Sequence, residues 1–214
     1  MTDPMRVIAI DGPSGSGKST VARHLADRLG LDYLDTGAMY RSVAFAALRR
    51  GIDPDDIDAV ARLAEQVEIV LDGSNVKVDG VDASIEIRGP EVTRAVSAVA
   101  ANPSVRKEMV SRQREWITSH GGGVVEGRDI GAVVWPDAEL KVYLTARLAV
   151  RATRRHQEVV ELDYENVAAD MAERDTLDST RDASPLQQAA GAVIIDTTER
   201  SVDEVVEFLL GHLS

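Results

Sequence analysis

The stretch Gly12–Ser19, with the sequence GPSGSGKS, decides the fold of this chain of 214 residues. It matches the pattern G-x-x-x-x-G-K-[ST], in which glycines allow backbone N–H groups to turn towards phosphate oxygens. The apolar run Arg6–Ile10 before it predicts a buried strand, and the apolar spacing of Ser19–Leu29 after it predicts a helix. Because the positive end of that helix would face the same phosphate, we predict a phosphate-binding P-loop here.

Short apolar runs and helical periodicity alternate along most of the remaining chain. Four further strands are predicted over residues 31–34, 124–125, 140–144 and 192–195. Helices are predicted over residues 36–50, 53–67, 91–101, 103–119, 167–176 and 202–213, with Thr36 as a possible N-cap of the first. Such alternation is typical of an α/β fold, in which a parallel sheet is covered by helices on both faces.

Two segments depart from this alternation. Residues 68–87 contain short alternating stretches separated by Asp72-Gly73 and Asp79-Gly80, which are turn sequences typical of hairpins. They predict a small antiparallel insertion. Residues 148–166 are rich in Arg and Glu and poor in apolar residues, so we predict a mobile, exposed helical segment there.

The composition excludes several classes of protein. Lys and Arg number 24 against 36 Asp and Glu, and the formal charge of -12 argues against a general nucleic-acid binder. The sequence contains no cysteine, which excludes disulfides, thiolate zinc sites and a Cys nucleophile. Apolar runs stay short of the roughly 20 residues that cross a bilayer, and the first residues lack the layout of a signal peptide. We therefore expect no membrane partner and, by default, a cytoplasmic location.

Switches, motors and small-molecule kinases all contain P-loops, so other sequence features must separate them. The Asn-Lys-x-Asp sequence that reads guanine in GTPases does not occur, and the strands over 124–125 and 140–144 do not end in the Asp-Glu pair of a motor ATPase. Arginines crowd into the last third of the chain, and a transferring phosphoryl group needs cations around it, which favours a kinase. These residues are Arg147, Arg151, Arg154, Arg155, Arg174 and Arg181. For any one of them, a solvated helix surface is an equally good interpretation.

Several segments, in the same order along nearly the whole chain, together resemble the bacterial cytidylate kinase family of nucleoside-monophosphate kinases. The most specific are Asp35–Arg41 (DTGAMYR) and Gly127–Gly131 (GRDIG). The others are Ile10–Thr20, Ser97 with Ala100–Pro103 and Val105-Arg106, and Glu173–Asp175 followed by Asp178 and Arg181.

The resemblance implies a three-layer P-loop NTPase fold with a five-stranded parallel sheet, a small β-rich insertion and a helical lid. It implies a core of residues 1–35, 102–147 and 167–214, a part over 36–101 that binds the nucleoside monophosphate and contains the insertion at about 68–87, and a lid over 148–166. It also implies a monomer that phosphorylates CMP, and dCMP, with ATP and Mg²⁺.

The predicted site residues fall into sets with separate tasks. The P-loop set for ATP is Gly12, Pro13, Ser14, Gly15, Ser16, Gly17, Lys18, Ser19 and Thr20, with Lys18 reaching the β- and γ-phosphates and Ser19 ligating Mg²⁺. The resemblance places Ser97, Arg106 and Asp129 around the cytosine. It places Arg41, Arg128 and Arg181 on the acceptor phosphate, Asp178 on the ribose hydroxyl, and Thr36 and Tyr40 at the acceptor site. Arg154 and Arg174 match arginines near the donor phosphates, so the catalytic set is Lys18, Arg128, Arg154, Arg174 and Arg181.

Other interpretations stay open at this stage. A kinase for UMP or for a small metabolite alcohol is one, and an alcohol acceptor would need a carboxylate base, for which Asp35 is the early candidate. A nucleotide-binding regulatory protein without turnover is another. Individual residues also have structural interpretations: Asp129 could cap a helix or pair with Arg128, and Arg106, like Ser97, could lie on a helix surface.

Overall fold

The computed structural model describes residues 5–158, 163–181 and 185–213 of the chain. Its strands are β1 (Arg6–Asp11), β2 (Tyr33–Asp35), β3 (Ile69–Asp72), β4 (Asn75–Val78), β5 (Val81–Asp82), β6 (Gly122–Gly127), β7 (Leu140–Thr145) and β8 (Val193–Asp196). Its helices are α1 (Lys18–Leu29), α2 (Thr36–Arg49), α3 (Ile57–Gln66), α4 (Pro90–Ala101), α5 (Pro103–Ser119), α6 (Leu148–Glu158), α7 (Tyr164–Thr180) and α8 (Val202–Leu210). Two shorter helical turns cover Glu86–Arg88 and Ile130–Val134.

Five strands form one parallel sheet in the order β2-β6-β1-β7-β8, which confirms the predicted α/β fold. β1 lies at the centre and pairs in parallel with β6, where Ile10 is opposite Glu126, and with β7. Parallel strands end at the same edge of a sheet, and ligands of such sheets bind outside that edge. The loop that follows β1 therefore lies where the ends of β6 and β7 flank it.

The apolar core under this sheet holds both ends of the P-loop in place. Ile8 and Ile10 of β1 and Leu25 of α1 are fully buried. They belong to one cluster with Val206 and Leu209 of α8. Burying a side chain of this size contributes about 1.5–3 kcal/mol, so the elements before and after the loop are anchored by their own packing.

A second sheet, with the antiparallel order β3-β4-β5, confirms the predicted insertion. Its alternating pattern buries Val76 and Val78 on one face of β4. At the turn after β4, Asp79 has a φ of 50° and accepts a hydrogen bond of 2.6 Å from the Nη2 of Arg50. The pair Asp79-Gly80 lies between β4 and β5 as predicted, whereas the turn between β3 and β4 is Gly73-Ser74, because Asp72 still pairs with Asn75.

The chain divides into two compact units. Unit 1 consists of Met1–Tyr33 together with Ile117–Ser214, and unit 2 of Leu34–Trp116. The P-loop, α6 and α7 belong to unit 1, whereas the small antiparallel sheet belongs to unit 2. Across the ranges 5–158, 163–181 and 185–213, no helix combines the length and the apolar character that crossing a membrane requires.

Two expectations about helices are wrong. The N-cap of α2 is Asp35 and not Thr36, because Asp35 Oδ1 accepts the N–H of Ala38 at 2.9 Å. Residues 148–166 were expected to be helical and exposed: α6 and the start of α7, which Asp163 caps, are helical as predicted, but Arg151 of α6 is buried. A charge-rich composition does not show which arginine finds a partner inside the protein. Residues 159–162 of the predicted lid lie outside the described residues.

Candidate active site

The P-loop leaves β1 at Asp11 and enters α1 at Lys18. Its turn requires glycine at Gly12, where φ is 148° and an added Cβ would lie 2.1 Å from the carbonyl oxygen of Leu144. Gly15 has a φ of 71°, and an added Cβ there would come within 2.8 Å of the Arg151 carbonyl oxygen. The loop has the close backbone turn, directly before a helix, that phosphate binding needs.

Lys18 is the first residue of α1 and is buried. Its Nζ donates a hydrogen bond of 2.8 Å to the carbonyl oxygen of Pro13, so the ammonium group is held over the loop. Ser19 is half-buried and Thr20 exposed in the same first turn. The structure thus brings the predicted ATP-binding residues 12–20 together in one turn.

Two arginines of α6 bind the backbone of the loop. Arg151 Nη1 donates to the Ser14 carbonyl oxygen at 3.1 Å, and its Nη2 pairs with Asp175 Oδ2 at 2.7 Å. Arg154 Nη1 lies 3.4 Å from the Gly15 carbonyl oxygen. Arg154 therefore lies beside the P-loop, and its action on the donor phosphates stays a prediction.

Four predicted residues of unit 1 form a cluster, which we call the arginine cluster: Arg128, Arg174 and Arg181 around Asp178. Arg128 Nε donates to Asp178 Oδ2 at 2.9 Å, and Arg181 Nη1 lies 3.5 Å from Oδ1. Burial by itself would raise the pKa of Asp178, but the charges of Arg128, Arg174 and Arg181 outweigh it and lower that pKa. Arg128 and Arg181 contact this carboxylate and Arg174 acts on it through its charge, so these four residues together carry a net positive charge that suits an anion.

The arginine cluster lies next to the residues that hold the P-loop. Asp175, the partner of Arg151, also exerts its charge on Arg128. Burial opposes the charged form of Arg128, but Asp178 and the other nearby carboxylates raise the pKa of its guanidinium above the ordinary value. Arg128 therefore stays protonated in its half-buried position.

Asp129 is buried in unit 1, directly before the helical turn Ile130–Val134. That turn is capped from a distance by Asp11, which accepts the N–H groups of Ile130 at 2.8 Å and Gly131 at 2.9 Å. Burial raises the pKa of Asp11 to about 6, with a smaller contribution from Asp129, while the two N–H groups and Lys18 oppose the rise. The side chain of Asp129 makes no capping hydrogen bond to this turn. The carboxylate of Asp11, the last residue of β1, caps the turn instead.

In unit 2, the half-buried carboxylate of Asp35 binds two arginines. Arg41 Nη2 lies 2.8 Å and Arg88 Nη2 3.4 Å from Asp35 Oδ2. Burial would raise the pKa of Asp35, but these two charges and the N–H of Ala38 lower it. A carboxylate that is held ionised by two cations is a weak proton acceptor, so Asp35 is poorly suited to activate an alcohol.

Arg106, also in unit 2, is buried rather than on a helix surface. Its Cζ lies 5.4 Å from the ring centroid of Tyr40, and its Nη1 donates to the Ala100 carbonyl oxygen at 3.2 Å. Thr36 is buried at the start of α2, and Ser97 is half-buried on α4. Within this unit the structure brings Tyr40 and Arg106 into contact.

Three polar residues that lie beside the predicted site residues were missed from the sequence. Asp11 approaches the segment of Asp129, Arg88 shares Asp35 with Arg41, and Thr197 binds Arg154. Asp11 is the last residue of β1, and Thr197 directly follows β8. A polar residue at the end of an apolar strand could have indicated both, because ligands of parallel sheets bind at that edge. Arg88 offers no comparable signal.

A group of half-buried arginines beside a P-loop serves the transfer of a phosphoryl group, so this fold and site define a P-loop kinase. The family model for cytidylate kinase matches residues 8–214, and the chain belongs to this family. The cytidylate kinase of Mycobacterium avium (strain 104) is 50% identical over 211 residues, which covers 95% of this chain and 92% of that protein. That of Nocardia farcinica (strain IFM 10152) is 49% identical over 215 residues, covering 97% and 93%.

Solved structures with low sequence identity share the fold. A gluconokinase from Sinorhizobium meliloti 1021 superposes with a TM-score of 0.51 at 16% identity, covering 98% of this chain and 92% of that chain. A sugar kinase from Janibacter sp. HTCC2649 gives a TM-score of 0.51 at 17% identity, covering 98% and 95%. The architecture is therefore common to small kinases that differ in sequence.

Proposed function

We propose that this chain transfers the γ-phosphoryl group of ATP to CMP, and to dCMP, with release of ADP and CDP or dCDP. The observation that carries the proposal is the surplus of positive charge in the arginine cluster, where the charges of three guanidinium groups act on Asp178. The P-loop supports a polyphosphate donor, and the cluster supports an acceptor that is itself a phosphate. Membership of the cytidylate kinase family supports cytidine as the nucleoside.

The phosphate of the acceptor is the nucleophile in this reaction. Its second pKa is about 6, so it is largely a dianion at neutral pH and needs no general base. One of its oxygens forms a bond to the γ-phosphorus while the bond from that phosphorus to the departing ADP oxygen breaks. The chain then contributes orientation of the two phosphates and stabilisation of charge in the transition state.

The charged residues divide this task between donor and acceptor in our proposal. Lys18 exchanges the Pro13 carbonyl oxygen for a phosphate oxygen of ATP when the donor binds. Arg154 and Arg174 act on the donor side. The acceptor phosphate is held by Arg41, Arg128 and Arg181, and Asp178 accepts from the ribose hydroxyl.

A magnesium ion suits the donor set that the P-loop offers. Mg²⁺ in nucleotide sites takes few protein ligands and completes its shell with phosphates and water. Ser19 presents a hydroxyl in the first turn of α1, and the described ranges contain no cluster of His, Asp and Glu that would hold a metal alone. Ser19 would hold the ion together with the ATP phosphates, and the bound ion supplies neutralisation of their charge.

Ser97, Arg106 and Asp129 are the residues proposed to read the base. The amino group of cytosine donates to a carboxylate, whereas uracil presents a carbonyl oxygen at the same place. Arg106 and Asp129 are only 4% and 5% exposed, and a mismatch with a desolvated charge is costly. This chemistry supports a preference for CMP over UMP.

The engagement of Asp35 speaks against an alcohol acceptor. Such an acceptor needs a carboxylate that can take its proton, and Asp35 is bound by Arg41 and Arg88. A phosphate acceptor has no such requirement. A monomer remains a prediction from the family and a cytoplasmic location a default prediction from the composition, and light scattering after gel filtration tests the first.

An assay of ADP release with CMP, dCMP, UMP, AMP and shikimate as acceptors tests the function. We expect CMP and dCMP to stimulate release well above the rate with ATP alone, and UMP to be poorer by about tenfold or more. The proposal is wrong when CMP gives no stimulation. Slow release that is independent of every acceptor would instead support a regulatory nucleotide-binding protein.

A further inference from the structure

Thr197 lies directly after β8 and is buried. Its N–H donates to the Thr145 carbonyl oxygen at 2.8 Å, next to the last pair of β7 and β8. Its Oγ1 lies 2.9 Å from the carbonyl oxygen of Ser16 in the P-loop and 3.2 Å from that of Thr145. A hydroxyl has one proton to donate, and the shorter distance favours the bond to Ser16.

The same threonine holds an arginine of α6. Arg154 Nη1 donates to Thr197 Oγ1 at 3.1 Å, and Arg154 Nη2 donates to the Thr197 carbonyl oxygen at 2.7 Å. Arg154 in turn reaches the carbonyl oxygen of Gly15, the residue before Ser16. Thr197 thus fixes one loop carbonyl directly and another through the guanidinium of Arg154.

These contacts determine the direction of backbone donors in the loop. In a trans peptide the C=O and the N–H point in opposite directions. A hydrogen bond to the Ser16 carbonyl oxygen therefore orients the N–H of Gly17, the residue immediately before Lys18. Donors that are oriented in advance require no rearrangement when an anion binds.

We propose that Thr197 is a positioning residue for the donor nucleotide. It keeps the Ser16–Gly17 amide and the Arg154 guanidinium in the orientation that a bound triphosphate needs, without touching the nucleotide itself. The inference rests on the proposed function only in taking ATP as the donor.

Two variants of Thr197 and one control variant separate the effect of the Thr197 hydroxyl from the effect of its side-chain volume. Thr197→Val replaces the hydroxyl by a methyl group of similar volume, and Thr197→Ser keeps the hydroxyl. Thr153→Val is the matched control, since Thr153 is exposed and its Oγ1 bonds only within α6, to the Ala149 carbonyl oxygen. The readouts are the Kd of ATP, measured by calorimetry with no acceptor present, and the KM values of ATP and CMP.

We expect Thr197→Val to bind ATP about tenfold more weakly, because the hydroxyl's bonds to the Ser16 carbonyl oxygen and to Arg154 Nη1 are both lost. Thr197→Ser and Thr153→Val should keep the affinity within about twofold of the wild type. The KM of CMP should stay unchanged in all three variants. A residue that served only the stability of the fold would not produce this selective loss on the donor side.

Wild-type ATP affinity in Thr197→Val would overturn the inference, as would equal rises in the KM of ATP and CMP. Should Thr197→Val not fold, Thr197→Ala removes the same hydroxyl without a second methyl group. If neither variant folds, Thr197 has a structural role and the positioning role is wrong. A wild-type protein that binds ATP but releases no ADP with CMP refutes the proposed function alone, because the ATP affinities still answer this question.

Discussion

The guanidinium of Arg128 and the carboxylate of Asp178 are joined at 2.9 Å, although 50 positions of sequence separate them. Arg128 directly follows β6, and Asp178 lies in the last turn of α7. Arg181 approaches the second oxygen of the same carboxylate. The carboxylate therefore reduces the repulsion among the arginines without cancelling their charge, which prepares the cluster for an anion.

Replacement of Asp178 by Asn should destabilise the protein. The guanidinium groups would lose the anion that compensates their burial, which costs about 1–3 kcal/mol of the free energy of unfolding. Urea denaturation at pH 7 measures this loss, and Asp170→Asn, on the exposed surface of the same helix, is the control. Because the pKa of Asp178 is lowered in the folded protein, its contribution is present above the ordinary pKa of 3.8 and disappears as the pH falls below it. Equal stability of the two variants would contradict the assignment.

The Lys18→Met variant should lose turnover while keeping its fold. A single preorganised cation at the reacting phosphates is worth about 10²–10³-fold in kcat. Lys107→Met, which removes an exposed ammonium group from α5, should retain wild-type turnover. Steady-state ADP release and circular dichroism measure activity and fold in the same preparations. Undiminished turnover would remove Lys18 from the catalytic set.

Asp129→Asn should weaken the discrimination between bases. An amide in place of the carboxylate no longer matches the amino group of cytosine with a full charge, and it can donate to the carbonyl oxygen of uracil. We expect the ratio of kcat/KM for CMP over UMP to fall by about tenfold or more. ATP affinity should stay close to that of the wild type. A parallel loss for ATP and CMP would indicate a general disturbance and refute the base-reading role.

Asp11 should give the protein a distinctive dependence of stability on pH. Its pKa is raised from 3.8 to about 6 in the folded state, so the folded protein binds a proton more tightly than the unfolded chain. The stability contribution of this proton is complete below about pH 4 and is lost as the pH rises through 6, a change of up to about 3 kcal/mol. Urea denaturation of the wild type and of Asp11→Asn from pH 4 to 7 measures this change. The free energy of unfolding of the wild type should fall relative to that of Asp11→Asn as the pH rises. A difference that is independent of pH would show that Asp11 is not perturbed, and Asp137→Asn, on the surface, provides the baseline.

Local patterns in the sequence predicted the elements whose causes are local. Gly12 and Lys18 lie within a continuous motif, and the strand and the helix around them are indicated by their own apolar spacing. The turns at Gly73-Ser74 and Asp79-Gly80 also depend on their own residues, and the two Asp-Gly pairs correctly predicted the small sheet. Such features are determined by interactions between residues that are close in sequence.

Contacts between residues that are far apart in sequence could not be predicted from local patterns. Ser14 and Arg151 lie 137 positions apart, and Ser16 and Thr197 lie 181 apart, yet each pair is hydrogen-bonded. Nothing in the sequence near Arg151 distinguishes it from Arg154 and Arg155 of the same helix, which are only half-buried. Its burial depends on where the sheet places α6, which is a property of the whole fold.

The central position of β1 has a consequence for the order in which the protein matures. Arg6 of β1 pairs with Gly122 of β6, which lies more than a hundred residues later in the chain. β1 is therefore synthesised long before its neighbours β6 and β7. Unit 2, by contrast, is a continuous stretch that is complete at Trp116. We expect the P-loop to be translated well before β6 and β7 and to take up its final shape only after both have paired with β1, so that affinity for ATP reports a completed sheet.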